Sequence, residues 1–425
     1  MMVDIWYTKS GFKRPLIKVF LWYIKIGGCI KLNNYKKNLY IMCIAAFLQG
    51  LVFYGPIATI FRQYRGLNLY QIFLLQFIFT LSMILLEVPW GHFSDKFGYK
   101  KTLIVSYFLF FISKIVFYKS YNFYGFLLES IAVSMSISGI SGCDSALIYL
   151  SVGERESERA FSLYSAASAG GFFTASFLST FMIKKSLDFP VLLTIFPYGI
   201  AFILIFFIKD VEYDKKDISI KNSFKNIAQN KNIFIFIIAI ALIGETTHSI
   251  CVFLNGPKYL NVGIDLKYFG VLTAFMQIIC LASAKSYKLS KNFGHRIVFN
   301  FLLFMITIAS FWLAYSNSAI ITIILIAVIE GAFALVQPLS LDIQNKSIKT
   351  ADRATMLSMY AMISDVIASA ANIAIGKAAD ISLEFSFTIC GILSLAALIF
   401  IIIYFNYIEE RSLLKFSFIK KLLIK

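Results

Sequence analysis

The chain has 425 residues, 59% of them hydrophobic and only 15% charged, with a mean hydropathy of +0.76 and a formal net charge of +17. A water-soluble domain carries about 25% charged residues, so this chain cannot cover itself with an aqueous surface. The positive charge falls in clusters between apolar runs and not on one amphipathic face, which excludes a nucleic-acid-binding surface.

Apolar runs of about 20 residues match a hydrocarbon core of about 30 Å at 1.5 Å of helix rise per residue. The period-2 alternation of a membrane barrel is missing, so the expected fold class is an all-α integral membrane protein. Residues 1–38 form a basic arm. In it the aromatic stretch Leu16–Ile30, interrupted by Lys18 and Lys25, suits the membrane interface, and no signal-cleavage pattern is visible. Twelve spans follow, predicted at 39–62, 69–90, 102–118, 122–149, 160–183, 188–209, 233–255, 267–287, 297–316, 319–345, 354–378 and 384–407. Gly55-Pro56 and Pro338 predict bends in spans 1 and 10. The six cysteines are scattered without a CxxC pair, which points to neither a disulfide framework nor a metal site.

Twelve spans put both ends of the chain on one side. About 31 of the 40 Lys and Arg fall on that side, so the positive-inside rule predicts that both termini are cytoplasmic. Between spans 6 and 7, Lys209–Lys231 carries six lysines among Asp, Asn and Ser and reads as a linker. It divides the chain into an N-terminal arm (1–38), a six-helix bundle (39–208), the linker (209–231), a second bundle (232–407) and a tail (408–425). Internal similarity supports the division. Lys96–Lys100 resembles Asn292–Arg296, and Glu158-Arg159-Ala160 resembles Asp352-Arg353-Ala354, at offsets of about 195 residues and at equivalent places in the two halves.

After span 2 the chain reads Glu87-Val88-Pro89-Trp90-Gly91-His92-Phe93-Ser94-Asp95-Lys96-Phe97-Gly98-Tyr99-Lys100-Lys101. This closely resembles the signature of the major facilitator superfamily, GxxxD(R/K)xG followed by basic residues, between helices 2 and 3. Ser141–Tyr149 resembles a stretch found in a bacterial subgroup. The resemblance covers about residues 39–407 and implies two six-helix pseudo-symmetric bundles. It also implies a latch closing the cytoplasmic side while the cavity faces outward, formed by Gly91, Asp95, Lys96, Gly98, Lys100 and Lys101 with Arg353 at the start of span 11. Physically, the glycines allow close approach and Asp95 suits a neighbouring helix N-terminus. Two departures stand out: Tyr99 replaces the first basic residue after Gly98, and Lys291 stands where Asp95 would align in the second half.

Ionisable groups inside spans are costly and mark cavities or partners. Glu245, Glu330 and Asp365 lie near mid-depth and are candidates for substrate binding or proton coupling. The resemblance, which places spans 1, 4, 7 and 10 around the cavity, favours the first two. His248, one turn from Glu245, and Gln49 are further candidates, as is Asp144, although Asp144 and Glu87 near the cytoplasmic ends of spans 4 and 2 read chiefly as loop-stabilising. Span 4 lacks the arginine, and span 5 the Gly-Pro motif, that many proton-coupled exporters of the superfamily carry. The expected function is secondary transport of a small organic solute by alternating access in the inner membrane. Proton-coupled efflux is favoured, with uptake by symport or a non-transporting scaffold as alternatives. Nothing in the sequence resembles an enzyme's catalytic cluster or a phosphate-binding loop, and the expected partners are a small-molecule substrate and membrane lipids, with the chain a monomer. No cofactor is expected beyond a proton as coupling ion, and no metal.

Overall fold

The structure is a computed structural model that describes residues 36–211, 231–348 and 353–423. Among these, eleven helices are long and apolar enough to cross a membrane, and a twelfth apolar helix is shorter. In chain order they are α1 (Lys37–Tyr64), α2 (Leu69–Phe97), α3 (Tyr99–Lys119), α4 (Phe123–Val152), α5 (Glu154–Ile183), α6 (Asp188–Ile205), α7 (Asn232–Asn261), α8 (Leu266–Cys280), α9 (His295–Tyr315), α10 (Ala319–Ser347), α11 (Arg353–Ile381) and α12 (Leu383–Leu423). Nearly all of the predicted arm and linker lie outside the described residues.

Local chemistry explains the ends. At the start of α2 the Asn68 side chain accepts from the Gln71 N–H (2.8 Å), and the Gln71 side chain accepts from the Asn68 N–H (3.1 Å), a reciprocal cap. Asn122 caps α4 by accepting from the Gly125 N–H at 3.0 Å. At the other end of the molecule the joints are single residues. Gly98 (φ +87°) alone separates α2 from α3, and Gly294 (φ +79°) occupies the same place before α9, so the repeat reappears as a pair of left-handed turns. The Gly91–Lys101 segment predicted as a loop is therefore mostly helix. Its apolar and aromatic residues (Trp90, Phe93, Phe97) keep α2 wound to Phe97. Three other predicted limits shift. α5 begins six residues earlier, at Glu154. The helix of span 12 continues through the predicted tail to Leu423. Span 8 is not one helix but runs from α8 through a 3-10 stretch (Leu281–Lys285) into a short helix, Ser286–Phe293.

Packing follows the repeat. In the first half α1 packs on α5 and α6, α2 on α4, and α3 on α4 and α6; in the second half α7 packs on α11 and α12, α8 on α10, and α9 on α10 and α12. The halves meet along two seams, α2 against α11 and α5 against α8. Buried apolar residues form two clusters. One takes in the first half at the end away from Gly98, hereafter the far end, and the second half along its whole depth. The other, around Met42, Leu103, Tyr107 and Leu147, is confined to the first half near Gly98, the loop end. Many large apolar side chains, among them Phe196, Ile203, Phe301 and Ile324, are exposed on the outside, where lipid tails are the natural solvent.

Candidate functional site: the seam between the halves

Helices 1 and 7 are both irregular at mid-course, at matching positions of the repeat. α1 stops at Gly50, turns, and resumes through a 3-10 stretch at Gly55-Pro56-Ile57, where proline removes an N–H and glycine relaxes the chain. α7 widens into a π-helical turn over Ser249–Leu254, near a 195-residue offset from the break in α1. Freed backbone groups in a membrane must find partners within the protein. They find them on α6: the Thr194 hydroxyl accepts from the Phe53 N–H (3.1 Å) and the Tyr198 hydroxyl donates to the Gln49 carbonyl (2.7 Å). Lys114 of α3, only 5% exposed, donates to the Tyr54 hydroxyl at 3.0 Å and lies over the rings of Phe110 and Tyr198. The Gln49 amide nitrogen stays buried without a partner beside this break.

The irregular segments meet at the far end and seal it. The Thr59 hydroxyl donates to the Val252 carbonyl in the π turn (3.1 Å), the Asn68 amide donates to Asp380 (3.1 Å), and the rings of Phe73 and Phe253 stand 5.1 Å apart. Three glycines of the second half allow the backbones to close. Gly256 faces Ile60, Gly376 faces Phe73, and Gly270 faces Ser176, Ser179 and Thr180, one glycine for each pairing of α7 with α1, α11 with α2 and α8 with α5. Ion pairs stiffen the first half here: Arg62, stacked near Phe117 and Phe126, pairs with Glu129 (3.3 Å), and Arg65 pairs with Asp188 and covers Tyr121.

Below this seal the predicted acids are distributed unevenly. Glu245 is buried one turn before the π segment, accepting from the Ser249 hydroxyl (3.2 Å) with His248 Nδ1 at 3.4 Å. Asp365 of α11 is half-buried and within electrostatic reach of Glu245 and of Glu87 on α2. Glu330 sits instead against α8, where the Cys280 thiol donates to it at 3.5 Å. Among the described residues no Lys or Arg lies within ion-pairing distance of Glu87, Glu245, Glu330 or Asp365. Asp144 is elsewhere: α4 is interrupted at Gly142 (φ +80°), and Asp144 accepts from the Ser145 N–H (2.6 Å) and the Tyr164 hydroxyl (3.1 Å), tying α4 to α5 near the loop end.

Of the predicted latch, Gly91, Asp95, Lys96 and Lys101 are exposed and Lys100 is half-buried. A Cβ at Gly91 would meet nothing within 4 Å, so its small size is not used for close packing in this conformation. Asp95 is within electrostatic reach of Cys143, the first residue of the α4 segment after its break, and Ser94 is hydrogen-bonded to Cys143. Gly98 lies beside the Asp210 carboxylate. The backbone of Arg353 opens α11, but its side chain lies outside the described residues. Sequence reading missed Glu87 as a neighbour of Asp365 and gave Arg62, Arg65 and Lys114 no partners. The polar spacing of these residues along their own helices carries no information about which helix lies opposite.

A twelve-helix membrane fold of two equivalent halves, with ionisable groups held between them, defines a membrane transporter. Residues 40–372 match the Major Facilitator Superfamily, and the chain belongs to that family of transporters, which are not enzymes. It is 26% identical over 215 residues to an uncharacterized transporter of Buchnera aphidicola subsp. Schizaphis graminum (strain Sg). That alignment takes in 48% of this chain and 54% of the relative, so the chain spans about half the length of the curated relative it matches. Among solved structures it is similar in fold to the nucleoside transporter NupG (TM-score 0.72, 12% identity, covering 88% of this chain and 99% of the other). A bacterial homologue of the human lysosomal transporter Spinster, in an inward-facing and unoccupied conformation, matches with TM-score 0.71 and 13% identity over 91% and 99% of the two chains. A D-xylose-proton symporter matches with TM-score 0.68 and 12% identity over 86% and 97%.

Proposed function

We propose that this chain is a proton-coupled secondary transporter that moves a small organic solute by alternating access, with export as the working direction. Its loop end faces the cytoplasm of a bacterial inner membrane, as the surplus of Lys and Arg on the side of the termini favours. One observation carries the reading: the halves are closed on each other at the far end, while acids without a basic partner lie between them nearer the loop end. On this reading the closed far end belongs to the inward-facing member of a pair of states. Asp365 lies within electrostatic reach of Glu87 and Glu245, so a proton carried on this group of acids changes the repulsion among them and biases the two states. Import by symport is the second reading, favoured by the shared fold of the D-xylose-proton symporter.

The test is conformational and needs no known substrate. Spin labels at Lys185 and Asn261, exposed on opposite halves at the far end, report the gap in nanodiscs. Lowering the pH from 8 to 5 should change the balance of short and long distances, and Glu245→Gln with Asp365→Asn should remove that response. An identical distance distribution at all pH values, or a response that survives both substitutions, rules out coupling through these acids.

A further inference from the structure

The superfamily resemblance places a latch on α2 and α11, and the seam of α5 with α8 carries charges that this latch does not use. At the far end α5 meets α8 at Gly270, against Ser176, Ser179 and Thr180. Towards the loop end the same seam stands open. Ser162, Ser165 and Ala169 share the face of α5 that carries Ser176 and Thr180, at about 100° per residue, and all three are exposed. Leu281, where α8 gives way to its 3-10 stretch, is 71% exposed.

Charges continue this face to the loop end. Glu158 lies eighteen residues, five full turns, before Ser176, and Glu154 stands one turn earlier at the start of α5. Arg155 and Arg159 are about 70° and 110° round the helix from that face. Across the gap the chain runs from α8 through Leu281–Lys285 into the Ser286–Phe293 helix, which carries Lys288 and Lys291. Counting rise from the level of Gly270, Lys288 lies about 30 Å and Lys291 about 34 Å towards the loop end, with Glu158 at about 30 Å and Glu154 at about 36 Å. Two acids of the first half thus stand at the depth of two lysines of the second. All four are exposed, and among the described residues none of them has an ion-pair partner. An acid at a helix start and a base at a helix end each suit the macrodipole. That accounts for the signs, but not for the shared face on α5 or for the matched depth.

We propose that Glu154 and Glu158 with Lys288 and Lys291 form a second latch, an ion-pair contact across the α5–α8 seam that is made when the loop end closes and the far end opens. Its polarity is the reverse of the first. Lys291 stands where Asp95 would align, and the helix start opposite it belongs to Glu154 and Glu158, as the start of α11 belongs to Arg353. Exposed pairs of this kind are individually weak and screened by salt, which suits a contact that must break in every cycle. The proposal rests on the alternating-access reading and adds to it a contact specific to the state not seen here.

The probe is a water-soluble carbodiimide, which condenses a carboxylate and an amine in contact into an amide with loss of water. It is applied to the full chain in nanodiscs, and the linked peptides are read by mass spectrometry. Links should join Glu154 or Glu158 to Lys288 or Lys291 within one chain, and the linked protein should show the longer distance between spin labels at Lys185 and Asn261. Lys291→Glu should lower the open-to-closed ratio at the far end about 2- to 30-fold, by losing an attraction and gaining a repulsion. The exchange Lys291→Glu/Glu154→Lys should restore both the ratio and the link between these two positions, which a mere loss of folding would not do. Absence of links across the seam, links that leave the far-end distance unchanged, or an exchange that restores nothing overturns the latch. A far-end distance that responds to pH in a protein that never links removes the latch and leaves the coupling reading. Links that track a far end indifferent to pH keep the latch and remove the coupling.

Discussion

Gly270→Ala tests whether the far-end seal is held by close backbone approach. A Cβ at Gly270 would stand 2.5 Å from the Ser179 hydroxyl oxygen and nearer still to the Ser176 carbonyl and the Thr180 hydroxyl. Ordinary Cβ contacts begin at 3.4 Å, so α8 must withdraw from α5 by about 1 Å. Two of the three neighbours are side chains that turn, but the Ser176 carbonyl belongs to the α5 backbone and cannot. Overpacking of this kind costs about 1–3 kcal/mol. The strain exists only while the seal is closed, so the closed-to-open ratio at the far end should fall about 5- to 150-fold. Double electron–electron resonance between labels at Lys185 and Asn261 measures this as growth of a longer distance. Gly170→Ala, on α5 with nothing within 4 Å of its Cβ, is the matched control and should change nothing. A folded Gly270→Ala protein with the wild-type distance distribution would refute the argument.

Two further outcomes follow from the charges. Glu129→Gln leaves the largely enclosed Arg62 without its carboxylate and should lower stability by about 3–5 kcal/mol, read as an earlier unfolding midpoint in detergent. The double change Arg62→Met/Glu129→Met should recover much of that loss, and a double variant as unstable as the single one would contradict the pairing argument. Asp265, on the far-end turn before α8, accepts hydrogen bonds from Lys267 that hold its carboxyl below the usual carboxylate range. A depressed folded pKa gives stability that is present above the unfolded value and lost only as the pH falls through the lower folded one. Between pH 5 and 8 this group stays charged, so Asp265→Asn should leave the pH response of the far-end distance unchanged.

The membrane fold was legible because run length and charge placement report directly on the bilayer. The twelve spans, their common terminal side and the two halves follow from where Lys and Arg interrupt apolar residues. The bend at Gly55-Pro56 was legible too, since proline and glycine act on the backbone locally. Its counterpart over Ser249–Leu254 was not, because Ser-Ile-Cys-Val-Phe-Leu contains no residue that forbids an α-helix; the widening is settled by what α7 packs against. The break at Gly142 and the helical course of Gly91–Phe97 escaped for a related reason. In lipid both faces of a helix are apolar, so periodicity no longer tells which face meets protein. Glu245 and Asp365 were picked out by the cost of burying charge, but their neighbour Glu87, near the end of a span, read chiefly as loop-stabilising.

The two irregular turns in α1 and α7 also say something about ancestry. They fall at one offset in a chain whose halves share packing order, glycine joints and short sequence echoes. Duplication of a single six-helix unit that already carried a weak point in its first helix accounts for both. The two turns have since drifted to different chemistry, Gly-Pro in one copy and a widened helix in the other, while keeping their position. What the two copies share is therefore a location for bending and not a sequence motif.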